Sequence, residues 1–230
     1  MEKLDRKGSV KLDPLIYLFF TIAYTALLVW GIVLAQKNGW NNSANLILLV
    51  IAGLIYDNGI LAAGTLIGEG GHLKNLNAVR FWAHAFFTPL LVIFAWKTVS
   101  RTGVEWARSK WIKYGIYLVF IGLVVLELAT EVFGLELRAK REYGVLGYEN
   151  AAQGGGPPLM VLIVTVFLLI ASIIVWKKQK WPWFFVGTVL MGLGSAVEFP
   201  VKSAAVVNAF ELILLLSLMA TKHFQDQREE

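Results

Sequence analysis

The chain reads as all-α: a polytopic transmembrane bundle of seven helices, forming a single integral membrane domain over residues 1–230. Composition, hydropathy and run length carry that reading. Hydrophobic residues make up 57% of the chain and charged residues 16%, where a soluble globular chain carries about a quarter charged. The mean hydropathy is +0.62. Apolar runs of about 20 residues, the length a helix needs to cross a hydrocarbon core of about 30 Å, fall at 15–35, 46–67, 77–98, 112–134, 158–176, 181–198 and 203–221.

The first run follows Lys3, Arg6, Lys7 and Lys11 and is too long for a signal-peptide core, so a retained helix is expected. In the second, Gly53, Asp57, Gly64 and Gly68 fall within about 60° at 100° per residue, a small-residue stripe suited to close helix approach around an acid. In the third, Arg80 and His84 lie one turn apart with Thr88 continuing the face, and Pro89 is expected to kink the helix. The fourth carries Glu127 and Glu131 in its last two turns, in line with Arg138 to within about 40°. The connection 134–158 combines charge with Gly154, Gly155, Gly156, Pro157 and Pro158 and is expected to be at least partly irregular, a connector or a lid. The fifth run is apolar on every side over 159–175, which excludes the alternating strands of a membrane barrel. Gly187, Gly194 and Glu198 share a face of the sixth, and Ala204, Asn208 and Glu211 lie on the seventh.

Successive spans reverse direction, so depth can be counted at 1.5 Å per residue. Asp57 falls about 18 Å from one face, while Arg80 lies about 5 Å and His84 about 10 Å from the other. Glu127 and Glu131 end their span, and Glu211 lies about 12 Å into the last one, all in the same half of the bilayer. The expected cavity is lined by the second, third, fourth, sixth and seventh spans, with the first and fifth outside. No deep ionisable group is expected in the opposite half.

Each charge in lipid costs at least about 2.5–3.5 kcal/mol on insertion scales, so groups at this depth need a partner or a purpose. Asp57, His84, Glu127 and Glu211 are the candidate catalytic residues, because a desolvated carboxylic acid can hold a proton for a neighbouring base. Tyr56, Arg80, Trp82, Glu131 and Asn208 are candidate substrate contacts, and the aromatics Phe81, Phe86 and Phe87 suit an isoprenoid or lipid chain. The structural alternative is an ion-pair network, Arg80 with Asp57 for example, that fixes helix packing. No paired-histidine spacing supports a metal site, and the sequence names no cofactor. With no cysteine, disulfides, thiolate nucleophiles and cysteine-ligated metals are excluded. Lys202 starts the last span, half a turn from Glu211, which is the wrong place for a retinal Schiff base.

The net charge of +5 resides in short loops, pointing to topology and lipid headgroups and away from nucleic acid. Basic residues divide almost evenly between the two faces. The density around Lys97, Arg101, Arg108, Lys110 and Lys113 and at Lys177, Lys178 and Lys180 makes that face cytoplasmic, with the N-terminus outside and the C-terminus inside the cell membrane.

The runs Tyr56-Asp57-Asn58, Ile67-Gly68-Glu69-Gly70, Arg80-Phe81-Trp82-Ala83-His84-Ala85 and Thr88-Pro89-Leu90-Leu91, with Gly156-Pro157-Pro158 and Gly194-Ser195-Ala196-Val197-Glu198, resemble a group of uncharacterised bacterial integral membrane proteins. The resemblance implies a polytopic membrane fold and brings no activity with it. The paired glutamates and separated histidines of intramembrane CAAX-type proteases are incomplete here, and membrane terpene cyclases are matched only in size and buried acids. The expected function is acid–base chemistry on a lipid or isoprenoid-like small molecule, in contact with membrane lipids. The alternatives are a proton-coupled small-solute transporter and a structural or sensory membrane protein.

Overall fold

The computed structural model describes residues 12–151, 159–196, 203 and 205–228. Glu198, Lys202, Ala204, the basic N-terminal residues through Lys11 and the 154–158 run lie outside them. Helices dominate: α1 (Leu12–Asn38), α2 (Ile47–Ile67), α3 (Gly71–Phe87), α4 (Leu90–Ser100), α5 (Lys110–Glu127), α6 (Leu159–Gln179), α7 (Trp183–Ala196) and α8 (Ala205–Asp226). Asn42 starts the turn before α2, its side chain accepting from the Ala44 N–H at 3.0 Å.

Six helical stretches among the described residues are long and apolar enough to cross a membrane: Asp13–Asn38, Ser43–Ile67, Gly71–Ser100, Lys110–Val132, Leu159–Gln179 and Ala205–Asp226. The third joins α3 and α4 through Thr88 and Pro89, where the lost proline N–H interrupts the ladder as expected. Among the described residues the expected seventh crossing, over 181–198, is short of that criterion. The 14 residues of α7 reach about 21 Å, less than the hydrocarbon core. α7 nevertheless runs antiparallel to α8, with Gly187 against Ser217 and Gly194 against the Phe210 ring.

The core runs between the helices. Tyr24, Ile51, Phe94, Phe184 and Leu218 are among its fully buried side chains. Gly31 of α1 lets Leu48 of α2 and Met219 of α8 approach so closely that any Cβ would displace them.

The all-α expectation needs correction between α5 and α6. Strands β1 (Leu137–Glu142) and β2 (Val145–Asn150) pair antiparallel, with Leu137 opposite Asn150 and Glu142 opposite Val145. Tyr143 and Gly144 form the two-residue loop, both at positive φ (48° and 85°), the geometry that matches hairpin twist. The sequence hides this strand pair because β1 is mostly charged and only β2 carries a buried face.

Two boundary differences matter for the site. The third span begins at Gly71, six residues before position 77, which moves Arg80 from headgroup depth to about 14 Å along its helix. α5 ends in a π-helical turn, Leu128–Val132, with the Phe133 N–H donating to the Leu128 carbonyl at 2.7 Å. Arg138 stands on a strand, so the expected row of three is not formed.

Candidate functional site

Asp57, near the middle of α2, receives a hydrogen bond from Arg80 Nε of α3 at 2.7 Å. Gly53, one turn earlier, admits the Phe87 ring from α3, which is how the two helices close around the acid. The rest of the predicted glycine stripe acts otherwise. Gly64 faces the backbone carbonyl of Leu146 in the hairpin, and Gly68, at φ +84°, ends the helix.

One turn beyond Arg80, His84 Nδ1 lies 3.1 Å from Thr88 Oγ1, and His84 Nε2 lies 3.7 Å from Glu127 Oε1. Glu127 is buried while the His84 side chain is 45% exposed, opening toward a cavity. That cavity, of about 110 Å³, is lined by the ionisable side chains of Asp57, Arg80, His84 and Glu211 together with apolar ones such as Leu54, Phe87, Val164, Leu168 and Met191. Among the described residues the Glu211 side chain makes no hydrogen bond or ion pair.

Three of the four predicted catalytic residues thus share one space, and Glu127 backs His84 from outside it. The candidate substrate contacts divide. Arg80 lines the cavity, but Tyr56 donates to the Leu76 carbonyl at 2.9 Å, tying α2 to α3. Trp82 stacks on Phe86 and meets Phe133 edge-on at the outer surface. Glu131 sits in the π turn, its carbonyl accepting from Asn150 Nδ2 at 3.4 Å. Asn208 is buried toward α1, where Tyr24 OH donates to its carbonyl at 3.4 Å. The lining helices also differ from expectation. α6, the fifth span, supplies the apolar wall, whereas α5, the fourth, contributes none of it. Polarity alone marks acids and misses a wall made of valine and leucine.

A second cavity, of about 200 Å³, lies under the hairpin between Asp13 and Tyr17 of α1, Leu61 of α2 and Arg80 of α3. Tyr143, Tyr148, Lys140, Glu142 and Glu149 roof it. Lys140 Nζ pairs with Glu149 at 2.9 Å and Glu142 at 3.3 Å, and the Glu149 hydrogen bond foremost, with Glu142 adding to it, holds the ammonium above its ordinary range. Asn77, fully buried, was not singled out in the sequence because its helix was expected to begin there. Its Oδ1 accepts from Arg80 Nη1 at 2.7 Å and from the Tyr148 N–H at 3.1 Å. Its spacing of three residues from Arg80 was the available signal.

At the end of the bundle away from the hairpin, Asp226 receives Arg101 Nη2 at 2.8 Å and Lys222 Nζ at 2.6 Å, and all three side chains are buried. Gln225 Nε2 adds hydrogen bonds to the Thr98 carbonyl at 3.0 Å and Gln179 Oε1 at 2.9 Å. The last helix runs five residues past position 221, so what reads as a basic tail is helix interior.

Among the described residues no cluster of His, Asp or Glu could hold a metal ion. Fold and site together define a helical membrane protein with a largely apolar cavity in its bundle, into which a few ionisable side chains are set. The chain matches no family model and no curated protein.

Proposed function

We propose that the protein is a seven-pass enzyme of the cell membrane, N-terminus outside and C-terminus cytoplasmic, that performs acid–base chemistry on a lipid or isoprenoid-like substrate. The observation that carries this reading is the inner cavity. One wall is aliphatic and suits a chain, and the other presents a carboxyl, Glu211, with no partner among the described residues. In that reading Glu211 exchanges a proton with the substrate. His84, oriented by Thr88 and backed by Glu127, is the complementary group. The Arg80–Asp57 pair places fixed charge at the cavity edge.

Cells carrying the wild-type chain are compared with cells carrying Glu211→Gln or His84→Gln by mass spectrometry of total lipid extracts. A pair of lipid species changing in opposite directions, and doing so in neither variant, supports the reading. Identical lipid profiles in all three, with equal protein levels, reject it. The transporter alternative gains one support, the buried charges at the opposite end, but these are closed by mutual pairing. Proton flux into liposomes holding the purified protein, abolished by Glu211→Gln, would favour it instead.

A further inference from the structure

The compartment beneath the hairpin and the inner cavity share Arg80 as a common wall. Arg80 reaches Asp57, a residue of the inner cavity, through Nε and reaches buried Asn77 through Nη1. The same Asn77 oxygen takes the Tyr148 N–H, so the atom that holds the guanidinium also seats the hairpin. A backbone carbonyl of the hairpin, at Leu146, fits against Gly64 where any side chain would obstruct it. Roof, partition and inner cavity are therefore one construction.

The chemistry of the outer compartment is lopsided. Asp13, Glu142 and Glu149 line it against Arg80 and Lys140. Among the described residues both cations are engaged, Arg80 by Asp57 and Lys140 by Glu142 and Glu149. Asp13, largely buried, is met by the Ser203 hydroxyl at 2.6 Å, a neutral donor. A phosphate or carboxylate head would have to break an existing pair and sit among like charges. A head that donates hydrogen bonds finds the carboxylates of Asp13, Glu142 and Glu149, each with lone pairs to spare beyond its present partner.

We propose that this compartment is the headgroup half of the same site, selecting an amphiphile whose head donates hydrogen bonds and bears no negative charge, a hydroxyl or an ammonium. The assignment rests on the reading that the inner cavity holds the apolar chain. The test uses the full-length protein in phosphatidylcholine nanodiscs and three probes of equal chain length: a monoacylglycerol, a primary alkylamine and a lysophosphatidate. Bound adducts are counted by native mass spectrometry. The monoacylglycerol or the alkylamine should bind about tenfold more tightly than the lysophosphatidate, the worth of one or two net hydrogen bonds, and the stronger of the two tells hydroxyl from ammonium.

Asp13→Asn should narrow that preference. Gly64→Val, which unseats the hairpin, should erase it while all three probes still bind. Leu168→Trp, which fills the inner cavity, should remove binding of every probe. Equal or stronger binding of lysophosphatidate to the wild type overturns the headgroup assignment; if Leu168→Trp still abolishes that binding, the inner-cavity reading stands without it. Failure of all three probes to bind the wild type, or their survival in Leu168→Trp, overturns the inner-cavity reading and this assignment with it.

Discussion

Asp57 and Glu211 are both acids on one cavity, but their surroundings give them opposite weights in stability. Asp57 holds the Arg80 guanidinium, and removing one partner of a buried pair strands the other at a cost of about 3–5 kcal/mol when burial is complete. At 28% exposure Asp57 retains some access to the cavity, so Asp57→Asn should fall below that range and still lower the melting temperature by several degrees. Adding Arg80→Met to Asp57→Asn should recover most of the loss, as a double-mutant cycle in detergent would read directly. At the other end, Asp226 lies between Arg101 and Lys222. Asp226→Asn leaves two cations facing each other and should destabilise more than Lys222→Met, which leaves the Arg101–Asp226 pair intact; denaturation of the two variants side by side checks the order. The convergence of Asp57, His84 and Glu211 is legible in the sequence because depth follows from counting residues along alternating spans. Tyr56, Trp82 and Asn208 do not line the inner cavity, for a physical reason. A helical angle says which way a side chain points and not which neighbour stands there, so Trp82 could as well meet Phe133 as a substrate.

Among the elements, the hairpin meets the bundle at Leu146 against Gly64, at the Tyr148 N–H on Asn77, at Tyr148 OH with the Gly70 N–H at 3.2 Å and at Asn150 Nδ2 with the Glu131 carbonyl at 3.4 Å. Gly64→Val should raise amide exchange across 137–150 while the exchange of α4 and α8 stays as in the wild type; unchanged hairpin protection would show that the seat is elsewhere. The Lys140 cluster on its outer face behaves differently with pH. A raised ammonium pKa contributes stability that is fully present at neutral pH and is lost only as pH rises through the raised value. Because Lys140 is 45% exposed, salt screens this contribution and it stays small. The hairpin was hidden by its charged outer strand, and the apolar face of α6 was hidden by uniformity, since a run that is hydrophobic on all sides gives no direction to its buried face.

At the scale of the whole molecule, spans and polarity of the bundle follow from hydropathy alone, and the six long helices lie where the apolar runs predict, apart from their ends. Helix ends are the weak point, because Gly71 begins a helix in a stretch still carrying His72 and Lys74, and α8 continues through charged residues that find partners inside the protein. Contacts fix which loops share a face. Gly70 meets Tyr148 at one end, and Arg101 meets Asp226 at the other. Since the chain has no cysteine, single cysteines report topology cleanly. Gly70→Cys and Tyr143→Cys should react with an impermeant thiol reagent from one side, and Trp106→Cys and Gln227→Cys from the other. Any exchange between the two sets contradicts the arrangement.

Glu211 is kept for chemistry at the expense of stability, and global unfolding measures this. Glu211 has no hydrogen-bond or ion-pair partner to lose among the described residues, so exchanging its carboxyl for an amide breaks no contact there. The melting temperature of Glu211→Gln in detergent, beside wild type and Asp57→Asn, should equal or exceed that of the wild type. A fall as large as that of Asp57→Asn would make Glu211 a member of a packing network and contradict the account.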